Sequence, residues 1–189
     1  MSSQEITEAH ARRICELIDH GLVAGLGTPV PGQMCIEAVV NHALGRPHGD
    51  DPGCVAQSVR RLKIGLNDAL WSVPTARAAG LKRLGLAQLG TADTLDEAAF
   101  AGRIANMSVR RARLLYKDPT FRAWADEWLS GADRTAYSAY SAAHSAYSAA
   151  YSARDALLAS VAEEVVQILI DMKAPGCKWL YLAPLSASV

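Results

Sequence analysis

The sequence predicts an all-α fold: a multi-helix bundle with a long C-terminal helix rich in Ala, Tyr and Ser. Three observations carry this. Apolar residues recur three and four apart in most segments; Ser or Thr three positions ahead of Glu, or Asp followed by Pro, stands before those segments; and no alternating run of β-branched residues lies between turn signals.

Ser2 and Glu5 have the spacing of a capping box ahead of Ile6, Ile14, Leu17 and Ile18, and Gly21 stands where that first helix would stop. The stretch GLVAGLGTPVPG is rich in Gly and Pro and predicts a surface loop. A second helix is expected over 33–44, ended by Gly45. In RPHGDDPG, Asp51 and Pro52 read as N-cap and first residue of a third helix that carries Val55, Val59, Leu62 and Leu66.

Pro74 opens a fourth helix reaching about Gln88. Thr94 and Glu97 form a second capping-box pattern for a helix with Phe100, Ile104 and Met107 that continues to Tyr116. Asp118 and Pro119 start a short helix with Phe121, Trp124 and Trp128, closed at Ser130-Gly131. Ala174-Pro175-Gly176 ends the last helix, and Trp179, Leu180, Tyr181 and Leu182 are expected to fold back on the core. In domain terms this is a helical N-terminal part, 1–130, and a long helix with a short tail, 131–189, packed as one domain.

The repeat between them is SAYSAAHSAYSAAY. At about 100° per residue, Tyr137, Tyr140, His144, Tyr147 and Tyr151 fall on one stripe; Ser138, Ser141, Ser145, Ser148 and Ser152 on a second; Ala139, Ala143, Ala146, Ala150 and Ala153 on a third. The apolar residues that follow, from Leu157 to Met172, lie between the projected alanine and tyrosine stripes, so serine is expected to face water. One helix over 133–173 would span roughly 60 Å, against a radius of gyration near ~16 Å for a compact chain of this length. The seven-residue period suits a left-handed seam with a partner helix. The tyrosines, His144 and the alanines at 139, 143, 146 and 150 are thus the expected interface, to a second copy or a protein partner.

Lys plus Arg and Asp plus Glu number 19 each, which removes the broad attraction that nucleic-acid binders rely on. No nucleic acid, membrane, metal or cofactor is expected. The start MSSQEITEAHARR has no apolar leader segment and the four cysteines show no close pairing, so reduced thiols in a cytoplasm are expected.

Reactive residue types concentrate in 29–55. Cys35 falls in the first turn of the predicted second helix, where the helix dipole favours a thiolate; His48 would serve as base, Asp50 or Asp51 would orient it, and Gln33 would donate to an oxyanion. The competing reading is structural: Cys35 packs beside Ile36, Val39 and Val40, Asp51 caps the third helix, and His48 with Asp50 tie the connection together. Cys35, His42, His48 and Cys54 lack the tight ligand pairs of a zinc site. The clusters Arg60-Arg61-Lys63, Lys82-Arg83 and Arg110-Arg111-Arg113 are expected on solvated helix faces with acidic partners, and would hold a small anionic ligand only if they converged. Asn67, Asp68 and Trp71 read as a structured helix junction.

The phrases PGQMCIEAVVNHALGRPHGDDPGCV, RLKIGLNDALWS, GLKRLGLAQLGT and APGCKWL resemble a set of alanine-rich bacterial and bacteriophage proteins with no known activity. The resemblance implies a bacterial host cell as context and assigns no residue a role. The function expected is a non-enzymatic binding or assembly protein, with a thiol-dependent hydrolase or transferase centred on Cys35 and His48, or a binder of a small anionic ligand, as alternatives.

Overall fold

Helices make up the regular structure of the described residues, 5–131 and 154–185 of a computed structural model, and no strand occurs among them. The helices are α1 (Glu8–Asp19), α2 (Ile36–Ala43), α3 (Gln57–Asp68), α4 (Pro74–Ala87), α5 (Glu97–Leu115), α6 (Pro119–Ser130), α7 (Arg154–Asp171) and a closing 3₁₀ helix (Pro175–Leu182). The all-α expectation is met. The repeat stripes from Tyr137 to Ala153 lie outside the described residues.

Contacts divide the chain into two compact units, Met1–Glu97 with Arg154–Val189, and Ala98–Ala153. The boundary drawn in sequence terms at 130/131 is a division of composition; these units are a division of contacts.

In the first unit α4 is the hub, packed against α1, α2, α3, α7 and the 3₁₀ helix. Its sequence, PTARAAGLKRLGLA, explains this role, because small residues let neighbours come close on several sides. A Cβ at Gly80 would stand 2.4 Å from the Trp71 ring. The core is Ile14, Leu17, Ile18, Ile36, Val39, Val40, Val59, Leu66, Leu81, Leu84, Val165 and Leu169, all removed from water. Gly176 closes the unit: it sits against the α4 C-terminus so tightly that a Cβ would lie 2.2 Å from the Leu86 carbonyl oxygen. Trp179, Leu180 and Leu182 are half-buried as expected, whereas Tyr181 is exposed.

In the second unit, Asp118 caps α6 by accepting from the Phe121 amide at 2.8 Å, Pro119 is its first residue, and Gly131 ends it at φ +93°. Trp128 is buried against Val109 and Ala125, flanked by Ala105, Phe121, Trp124 and Leu129. Arg113 reaches Asp126 through Nε at 2.5 Å and Nη2 at 3.1 Å.

Three helix starts differ from the sequence expectation. The capping box of α1 is Thr7 with His10 rather than Ser2 with Glu5: the His10 amide donates to Thr7 Oγ1 at 3.4 Å, and the Thr7 amide to His10 Nδ1 at 3.2 Å. Helix α3 begins after Ala56, not at Pro52, because Asp51 turns back on the Gly53 amide at 3.0 Å and closes a tight turn first. Its exposed N–H groups are answered from elsewhere: the Ser58 amide donates to Glu97 Oε2 at 2.6 Å, and the Ala56 amide to Thr91 Oγ1 at 2.9 Å. Glu97, expected to cap its own helix, thus caps another. Finally, α2 begins at Ile36, which makes Cys35 its N-cap rather than a first-turn residue.

Candidate functional site

Gly25, Gly27 and Gly32 all adopt positive φ, and these turns fold the 21–35 loop back on itself. The loop is closed by the Val23 amide to Met34 O at 3.1 Å, the Thr28 amide to Gln33 O at 2.7 Å and the Cys35 amide to Leu26 O at 3.2 Å. Asn67, near the end of α3, holds this loop to α2. Its Nδ2 donates to Val23 O and to Asp68 Oδ1, each at 2.9 Å, and its Oδ1 accepts from the Ile36 amide at 3.3 Å. Asp68 Oδ1 also accepts from the Gly25 amide at 2.8 Å. The helix-junction reading of Asn67 and Asp68 therefore holds, with the addition that the junction walls a pocket.

That pocket has a volume of about 210 Å³ and is lined by Gly25, Leu26, Cys35, Ile36, Glu37, Asp50, Ile64, Asn67 and Asp68. The lining includes three acidic residues and no Lys, Arg or His, and the carboxylate oxygens of one of them, Glu37, are closed off from it. Glu37 is the unusual member, since it is fully buried on the first turn of α2. Behind it lies Lys63, also fully buried, with Nζ 2.7 Å from Glu37 Oε1. The distance is that of an ion pair, but the approach is poorly aligned: neither Lys63 Nζ nor either Glu37 oxygen completes a hydrogen bond. Burial pushes the Glu37 carboxyl up, against the opposing pull of Lys63, and pushes the Lys63 ammonium down, against the pull of Glu37. Lys63 thus departs from the solvated face expected of its basic cluster. The reason is its position, four residues after Val59 and three before Leu66 on the inward stripe of α3.

Of the four residues expected to form a thiol site, the pocket brings together Cys35 and Asp50; Gln33 and His48 are not in its lining. Each has another partner. Cys35 Sγ accepts from the Ala38 amide at 3.4 Å as the N-cap of α2. Burial raises its thiol above the ordinary range, and the amides of Ala38 and Glu37 offset this only in part, so the first-turn thiolate expected from the sequence is not what the environment favours. His48, exposed, bonds Gly27 O through Nε2 at 3.1 Å, and Gln33 Oε1 accepts from Thr28 Oγ1 at 2.9 Å. Asp50 is held by Arg60, Nη2 to Oδ1 at 2.8 Å and Nε to its backbone oxygen at 2.6 Å.

Among the described residues, no group of three or more His, Cys, Asp or Glu is placed to hold a metal ion, and no helix is long and apolar enough to cross a membrane. Three other residues of the basic clusters have acidic partners: Lys82 pairs with Asp19 at 2.6 Å, Arg83 with Glu163 at 2.9 Å, and Arg113 with Asp126. Sequence reasoning missed Glu37 and Lys63. The available signal was a charged residue on the inward side of a helix, with Val40 three positions beyond Glu37 and Val59 and Leu66 flanking Lys63.

Compared with protein-family models, curated proteins and solved structures, the chain matches none.

Proposed function

We propose that the chain is a non-enzymatic binding protein whose ligand seat is the pocket between the 21–35 loop, the start of α2 and α3. The observation that carries this reading is Glu37, a residue of the pocket lining whose carboxylate is buried just behind the surface beside Lys63, with Oε2 unanswered by any donor. Buried carboxylates are costly and are ordinarily satisfied, and a strongly perturbed acid in a cleft is a functional-site signature. Thiol chemistry is the weaker reading, because Cys35 is spent on capping and kept protonated by burial.

The test is native mass spectrometry of the protein purified directly from its own host, beside Ile64→Trp, which fills the pocket from its α3 wall. A retained small ligand on the parent chain that is lost from the variant supports the reading; a retained ligand indifferent to Ile64→Trp refutes it.

Assembly through Tyr137, Tyr140, His144, Tyr147 and Tyr151 is a second proposal, supported by the seven-residue period of the sequence. Sedimentation that finds a strict monomer at high concentration would remove it.

A further inference from the structure

We draw no further inference here: the strongest candidate, the buried Glu37–Lys63 pair between α2 and α3, is closed off from the neighbouring pocket and already answered by its own partner charge, and nothing in the structure shows a ligand that would reach it.

Discussion

Lys63 Nζ lies 2.7 Å from Glu37 Oε1, joining α3 to α2 through an ion pair that water does not reach. Burying two charges costs several kcal/mol each, and their attraction repays this only when the remaining valences are filled. Here they are not. Lys63→Met, which strands Glu37, is therefore expected to cost about 3–5 kcal/mol in urea unfolding, whereas the double variant Glu37→Leu with Lys63→Met should be neutral or more stable than the parent by about 1–4 kcal/mol. A single variant within 1 kcal/mol of the parent would show that the pair is hydrated in solution.

Two of the loop glycines separate conformation from contact. Gly25 (φ +65°) has open space where a Cβ would go, so Gly25→Ala carries only the left-handed backbone penalty, about 1–2 kcal/mol. At Gly27 (φ +71°) a Cβ would stand 1.9 Å from Gln33 O, a backbone atom that cannot step aside. Gly27→Ala should cost clearly more than Gly25→Ala and open the loop, seen as faster hydrogen exchange of the Thr28 and Cys35 amides.

Cys177 sits in the 3₁₀ helix, where burial pushes its thiol from 9.0 up to about 11. A raised folded value means the thiolate is disfavoured in the native state. Its alkylation rate below pH 9 should therefore run about 100-fold below that of an unfolded control. The linked stability is intact below the unfolded value and fades as pH climbs from about 9 to 11. Cys177→Ala should flatten that alkaline decline in Tm; an unchanged slope would assign it to other groups.

Acid acts through different residues. The Ser72 hydroxyl and amide hold the Asp155 carboxyl below its ordinary range, the amide at 2.9 Å, and the Ser58 amide, at 2.6 Å, does the same for Glu97. Depressed carboxylates stabilise above their unfolded values and lose that contribution as pH falls through the folded ones. Asp155→Asn and Glu97→Gln should each lower Tm at pH 7 and make the acid transition below about pH 4 shallower, as circular dichroism melts across pH would record.

Much of the helical order could be read from periodicity, and the starts of α4 and α6 were legible because Pro74 and Asp118-Pro119 mark them locally. The errors at α1 and α3 arose where a cap competes with a nearer or more distant partner: Thr7 and His10 satisfy each other, and α3 borrows Glu97 from 39 residues away. No local pattern contains such a loan. The candidate site was half legible for the same reason. Cys35 and Asp50 were visible as reactive types in a turn-rich segment, while the wall formed by Glu37, Asn67 and Asp68 exists only once two helices and a loop are brought together.

Arg77 lies outside the pocket lining, yet its guanidinium grips the carbonyl oxygens of Asn67 at 2.8 Å and Leu22 at 2.9 Å from the far side of that wall. A rivet of this kind ties the end of one helix and the root of the loop to a third element, so the recess cannot widen unless α4 moves with it. The geometry of the recess is in that sense governed by a residue no ligand would touch, and a conservative exchange to lysine, with one donor centre in place of a fork, would slacken it remotely.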